Sequence, residues 1–473
     1  MAAVGAGTSA IVVGASIAGM LTARALADRV DDVLVLERER LTDAADEPPH
    51  PRGHVPQGRH LHLLLAAGLD QLCAWFPGID AELEAAGAVR VDGTRAWFFQ
   101  QGAYRARGDW GTVLMSMTRP LLEQTVRRRL ADVPNVRIED GVRVDRVHRQ
   151  GRRVAGVEVA AGSGVEVRPA DLVADCSGRS SRIAHDLESS GVLAPPVSLV
   201  SIDCAYASCL LARGPDDLDG GFLVCGPTPP RSYRIGAVLP VEGDRWMVTL
   251  AGVHGDPPPT DDEGFRAFTR TLLSPGVAQV VERCERVSPV AHYRFPASRR
   301  RHYEKVPDLL PGLVVVGDAA CSFDPVYGQG MACAALQAAS LGELLRTLPP
   351  GSPELPRRFH RRAAKILDAP WSIAVGADFL HPLTQGPKAP GTDLVNRYVL
   401  RVLLASHTDV AVARRFNRVL QLVEPPSALM RPSTVARVLR AARRSPVRTG
   451  RALVHPRVGP VAGPTDRSAD PRG

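Results

Sequence analysis

Ala10-Ile11-Val12-Val13-Gly14-Ala15-Ser16-Ile17-Ala18-Gly19 is the stretch on which the fold turns. Its first four residues are apolar and rich in β-branched side chains, the composition of a short buried strand. Gly14-x-Ser16-x-x-Gly19 then makes a tight turn, and from Met20 to Asp28 alanine and leucine favour a helix. Val33-Leu34-Val35-Leu36 returns as a second apolar strand ending at Glu37. Strand, turn, helix and strand compose a βαβ unit with a parallel pair buried on both faces. Gly14 permits the turn, and Gly19 lets the helix close on the strand. The helix start offers unpaired N–H groups and a partial positive charge to a pyrophosphate. Serine in place of the middle glycine still allows close backbone approach and adds a hydroxyl. Glu37, eighteen residues after Gly19, stands to accept both ribose hydroxyls of an adenosine. A carboxylate there disfavours a 2′-phosphate, so the expected ligand is FAD or NAD rather than NADP.

A second constellation, far downstream, decides between those two. Pro311-Gly312-Leu313-Val314-Val315-Val316-Gly317-Asp318-Ala319 puts an aspartate just past another buried strand. Pro325-Val326-Tyr327-Gly328-Gln329-Gly330-Met331 follows and opens a helix of small residues. The aspartate suits a sugar-alcohol chain. The glycine-rich loop suits the negative edge of a reduced flavin, because a helix start carries a positive dipole end. FAD is therefore the expected cofactor.

The rest of the chain sets bounds. It has 473 residues, 45% of them hydrophobic and 23% charged, enough to bury two or three cores. The net charge of +8 is almost wholly arginine, since lysine occurs only at 305, 365 and 388. Aromatic residues are 5% and do not interleave with basic ones, so no nucleic acid is expected. No apolar run reaches membrane-spanning length, and the segment at Ile11 to Leu21 reads as fold rather than signal peptide. The eight cysteines form no CxxC and lie apart from histidine, so reduced thiols, no metal and a cytoplasmic protein are expected.

The two glycine constellations resemble those of the p-hydroxybenzoate hydroxylase-type flavoproteins. Further segments resemble one branch of these, the bacterial monooxygenases that epoxidise polyenes on the way to polyether antibiotics. They are Arg52-Gly-His-Val-Pro-Gln-Gly-Arg-His60-Leu-His62, Thr118-Arg119-Pro-Leu-Leu-Glu123, Ala170 to Arg179, Gly317 to Met331, and Trp371 to about Arg440. The resemblance implies an α/β fold with an FAD-binding Rossmann-like domain of the glutathione reductase type 2. A β-sheet substrate domain is interleaved with it, and a C-terminal helical region follows. The expected bounds are 8–190 for the first part of the FAD domain, with a substrate-facing insertion about 90–118. The sheet domain is expected at 191–290, the second FAD part at 291–345, the helices at 346–444 and a loose tail at 445–473.

For single residues, the resemblance implies that Gly14, Ser16, Gly19 and Glu37, with Arg38 beside them, hold the ADP half of FAD. Arg119 would reach the middle of the cofactor, and Arg52 and Arg59 would flank the pyrophosphate or the ring. Asp318 would bind the pyrophosphate–ribityl region, and Gly328, Gly330 and Met331 the flavin. Asp175 and Gly178 stand where the fold carries an Asp-Gly motif. The implied activity is insertion of one oxygen atom from O2, through a flavin C4a-hydroperoxide, into a lipophilic polyketide or terpenoid. Epoxidation of an alkene is favoured over aromatic hydroxylation or prenyl-chain reduction. Electrons would come from NAD(P)H or a partner flavin reductase, because no second dinucleotide turn is present. His60 and His62 read as flavin contacts or loop donors more readily than as acid–base catalysts. Cys321 and Cys333, bracketing the flavin loop, read as buried thiols rather than covalent flavin attachments. Leu210, Leu211, Phe222, Leu223, Val238, Leu239, Met247 and Leu250 stand to wall an apolar site or to fill the sheet core.

Overall fold

The computed structural model describes residues 7–41, 48–161, 164–214, 217–450 and 452–456. Most of the tail expected at 445–473 lies outside the described residues.

Ser9–Val13, Asp32–Leu36 and the helix Ile17–Ala27 between them form the anticipated βαβ unit. The first strand is the middle of a five-stranded parallel sheet. Its order is Leu313–Val315, Leu172–Asp175, Ser9–Val13, Asp32–Leu36, Val136–Glu139. Helices Ile17–Ala27, Ala66–Trp75, Arg119–Ala131 and Gly330–Leu344 cover one face, in a core that includes Met20, Leu21, Leu72, Leu122 and Leu341. On the other face, the antiparallel ribbon Val144–Gln150, Arg153–Ala161, Gly164–Pro169 contributes Val147, Val154 and Val157 to a second core. A sheet buried on both sides explains why its strands read as unbroken apolar runs. Both halves of the cofactor motif thus come from strands of one sheet, although about three hundred residues separate them in the chain.

The eight-stranded sheet runs Cys321–Ser322, Ala291–Arg301, Val197–Ala212, Arg245–Val253, Ile235–Val241, Phe222–Cys225, Ala96–Gln100, Ala103–Tyr104. It reaches beyond 191–290 on both sides. Ala291–Arg301 pairs antiparallel with Val197–Ala212 from Val197↔Arg301 to Ser208↔Ala291. Ala96–Gln100 pairs parallel with Phe222–Cys225. The first of these strands carries Arg294, Arg299, Arg300 and Arg301, so its apolar alternation is hidden by long polar side chains. Helices Asp262–Arg270 and Gly276–Arg283 pack on the sheet's outer face, where Trp246, Leu250, Phe265 and Val277 make a third core. The C-terminal helices Leu355–Asp378, Thr392–Ser406, Val410–Leu420 and Pro432–Ala441 follow, and the first three contribute residues to the wall of a central cavity. No helix among the described residues is long and apolar enough to cross a membrane.

Candidate active site

One cavity of about 1250 Å³ joins the first glycine turn, the Gly317–Met331 segment, the inner face of the large sheet and the C-terminal helices. That exceeds the roughly 300–1,000 Å³ typical of a pocket for one drug-sized ligand. A dinucleotide and a second molecule fit together.

At the turn, Gly14 has φ +100°, and a Cβ there would lie 2.8 Å from the carbonyl oxygen of Cys176. A Cβ on Gly19 would overlap the carbonyl oxygen of Gly14. Only two hydrogens permit this closeness of helix to strand. Ser16 is the N-cap residue, but its side chain does not cap the helix. Its hydroxyl donates to Glu123 Oε1 at 2.6 Å and accepts from Arg119 Nη2 at 2.8 Å. The first N–H groups of the helix therefore face the cavity without a side-chain acceptor, as a pyrophosphate site requires. The extra donor expected of Ser16 is already engaged.

Glu37 is buried at the end of its strand. It accepts from the Ala15 N–H at 2.8 Å and the Glu39 N–H at 3.0 Å, and pairs with Arg52 at 2.9 Å. A carboxylate has about four acceptor positions. Three are filled, so one ribose hydroxyl fits directly and a second only if Arg52 gives way. Arg52 also reaches Glu39 and Glu123, at 3.3 and 3.4 Å. Burial disfavours its charge, yet Glu37, Glu123 and Glu39 outweigh this and raise its pKa. Burial likewise pushes the Glu123 carboxyl up, but Arg119 and Arg52 hold it below its ordinary value. Arg119 Nε donates to Glu123 Oε1 at 2.8 Å, four residues along the same helix. Glu123 is thus the hub that aims both arginines and the turn serine.

Gly14, Ser16, Glu37, Arg38, Arg52, Arg119, Asp318, Gly328, Gly330 and Met331 all line the cavity. Gly19 does not, which suits a packing role. Arg59, expected near the pyrophosphate or ring, is exposed and outside the cavity lining. It ends the short 3-10 turn Pro56–Arg59, in which the flanking Gly58 and His60 are the residues turned inward and buried. Asp318 has its pKa raised by burial, against the influence of Arg119 and Arg179. Gly328 takes φ +66°, and a Cβ there would meet only Leu65 within 4 Å, which leaves its backbone open to a flat ring. Buried polar atoms without partners gather here as well: His60 Nε2, Arg179 Nη1 and Gln329 Oε1. The donors, the cradle and these orphaned atoms fit FAD.

His60 Nδ1 bonds Ser208 Oγ at 2.8 Å, and the ring lies near Tyr206 and Tyr293. Burial lowers its pKa to about 4, and that of His62 to about 3. Both are neutral near pH 7, so His60 is suited to a fixed hydrogen bond more than to carrying a charge. Asp175 accepts from the Ser177 N–H and from both Ser177 and Ser181 hydroxyls, and serves the helix that follows. Asp324 accepts from the Tyr206 hydroxyl at 2.5 Å and caps the flavin loop through the Val326 N–H. Cys321 and Cys333 are buried free thiols in a small apolar core, and neither lines the cavity. Among the described residues no group of side chains could hold a metal.

The sheet's inner face is set by strand alternation. Phe98, Phe222, Val224, Ala237, Leu239, Tyr206, Thr249 and Ala251 line the cavity. Leu211, Leu223, Val238 and Leu250 point the other way into the outer core. Of the eight side chains that stood either to wall an apolar site or to fill the sheet core, Phe222 and Leu239 line the cavity. Leu210 and Met247 also lie outside the lining.

Comparison with known proteins agrees with this arrangement. The profile of the FAD binding domain family matches residues 7–366, and the chain belongs to that family. It is an enzyme of the flavin-dependent monooxygenase kind. Protein Rv3254 of Mycobacterium tuberculosis (strain ATCC 25618 / H37Rv) is 33% identical over 472 residues, spanning 93% of this chain and 97% of that one. Squalene monooxygenase SE1 of Panax ginseng is 25% identical over 353 residues, which cover 72% of this chain and 59% of the ginseng protein. Among solved structures, the tetrameric form of 2-methyl-3-hydroxypyridine-5-carboxylic acid oxygenase is similar with a TM-score of 0.58 at 17% identity. That match covers 96% of this chain and all (100%) of the other, and it shows the fold.

Proposed function

We propose that this enzyme inserts one oxygen atom from O2 into a long lipophilic substrate, by epoxidation of an alkene. The observation that carries the proposal is the apolar inner face of the large sheet, which continues from the flavin loop without a break in the cavity. FAD, when bound and reduced, would activate O2 so that one of its atoms is electrophilic enough to attack an electron-rich alkene without help from a protein base, the other atom leaving as water. The chain's own residues hold, orient and keep dry. The helix N-terminus of Ile17–Ala27 and Arg119 would hold the anionic middle of the cofactor, and the Gly328–Gly330 loop would border its ring. Tyr206, Thr249 and Leu239 position the substrate over the sheet, and the C-terminal helices form the opposite wall of the cavity. Leu394, Val395 and Met430 line the cavity and are 65%, 59% and 61% exposed, so its mouth is apolar too. The ginseng relative is a squalene monooxygenase, and this supports a lipophilic alkene.

Electrons would come from NAD(P)H or a flavin reductase, and a polyene intermediate of polyketide or terpenoid biosynthesis is the substrate class we favour. The test is turnover of a polyene under ¹⁸O2. The expected product carries one labelled oxygen as an epoxide or its cyclised ether. A labelled phenol from an aromatic substrate, with polyenes untouched, would replace epoxidation by aromatic hydroxylation. Gain of two hydrogens without label would make the enzyme a chain reductase.

A further inference from the structure

Arg105 lies at the edge of the large sheet remote from the flavin loop. It follows the edge strand Ala103–Tyr104, and its backbone N–H donates to the Phe98 carbonyl at 2.8 Å. The residue is only 4% exposed, yet it lines the cavity. Its guanidinium sits 4.7 Å from the Phe98 ring centre, 5.1 Å from Phe416 and 5.2 Å from Trp110. All three rings line the cavity as well. Both terminal nitrogens, Nη1 and Nη2, are buried and have no hydrogen-bond partner.

Such a group is rare. A guanidinium carries five N–H donors, and burying them unpaired is costly. Aromatic faces offset part of the charge's desolvation but accept no conventional hydrogen bond. No ion pair to Arg105 occurs among the described residues. Asp92, also on the cavity wall, accepts at its Oδ1 from the Thr94 N–H and hydroxyl and makes no ion pair with Arg105. Burial lowers the Arg105 pKa to about 10, which leaves it a cation at neutral pH. The cage thus holds, within the cavity wall, a planar fork of two unused donors sealed from water, the donor geometry that matches a carboxylate.

We infer that Arg105 binds the carboxylate head group of the substrate, whose lipophilic chain then lies across the sheet toward the flavin loop. This deepens the monooxygenase reading of the cavity and rests on it. From the strand of Tyr206 to that of Phe98 the sheet makes four strand spacings, roughly 19 Å at the usual interstrand distance. The ligand is accordingly a long-chain acid, not a compact one. Its head is held by paired N–H···O bonds, while Phe98, Phe222 and Leu239 take the first part of its chain.

The test needs no turnover. Calorimetric titration of the protein as purified, at pH 8, compares dodecanoate with 1-dodecanol, which differ only at the head. Wild type should bind the acid about ten- to a hundredfold more tightly, the worth of a charge-assisted hydrogen bond. Arg105→Met should bring the two ligands to within about threefold while leaving dodecanol affinity unchanged. Equal affinities in wild type overturn the inference, whether or not the variant folds. A preference that survives in Arg105→Met, or in Arg105→Gln, overturns it too. If polyenes gain no labelled oxygen but the head-group preference holds and falls with Arg105, the reaction assignment fails and the anion site stands.

Discussion

Gly19→Ala should cost the enzyme its FAD, with affinity falling at least a hundredfold. The added Cβ would overlap the Gly14 carbonyl oxygen, and the obstacle is backbone, which cannot rotate away as a side chain can. The helix must therefore shift from the strand, carrying its first N–H groups off the pyrophosphate position. Losing two hydrogen bonds to a charged group is worth about 3–6 kcal/mol, or two to four decades in Kd. Overpacking should also destabilise the fold by about 1–3 kcal/mol. Fluorescence titration of apoprotein with FAD checks the first figure. An affinity within threefold of wild type would mean that the cofactor does not sit on this turn.

Arg52→Met should destabilise the apoprotein by about 3–5 kcal/mol, the usual cost of removing one partner from a buried charge group. Arg52 stands among Glu37, Glu39 and Glu123, and its side chain is 9% exposed. Without it the carboxylates face one another with only Arg119 opposite Glu123. The pH dependence has a definite sign. In wild type the lowered Glu123 pKa contributes stability above its unfolded value, and this is lost as pH falls through the folded value. Arg52→Met moves that folded value up, so the penalty should be greatest near pH 7 and shrink in acid. Adding Glu123→Gln should restore part of the loss. Urea denaturation at pH 7 and pH 5 measures both. A penalty below about 1 kcal/mol, equal at the two pH values, would show that the cluster is solvated rather than coupled.

The parts of this site that were legible in the sequence are those dictated by backbone geometry. Gly14, Gly19 and Gly328 occupy turns where a Cβ clashes or φ is positive, and local sequence reports such needs directly. Glu37 and Asp318 were legible because each follows an apolar strand at a fixed step. Glu123 was seen only as part of a matching segment. Its role depends on Ser16 and Arg52, 107 and 71 residues away, although Arg119 at four residues' spacing was a local sign. Arg105 carried no signal: Phe98 and Trp110 are near it in the chain, but nothing local says that their rings close on it together with Phe416 from a distant helix. Which sheet residues line the cavity and which fill the core was left open for another reason. Strands such as Arg245–Val253 are buried on both faces, so hydrophobicity does not alternate and cannot say which side chains meet the cavity. Arg59 shows the limit of transfer by resemblance: the residue type matches, but the turn that carries it leaves it in solvent.

Oxygen insertion at this site requires one FAD held noncovalently between the Gly14 turn and the Gly328 loop. Acid precipitation of the purified protein, followed by chromatography of the supernatant, tests this without any knowledge of the substrate. The expected result is free FAD approaching one per chain, with a colourless pellet. FMN, NAD alone, a yellow pellet retaining flavin on Cys321 or Cys333, or no chromophore after incubation with FAD would contradict it.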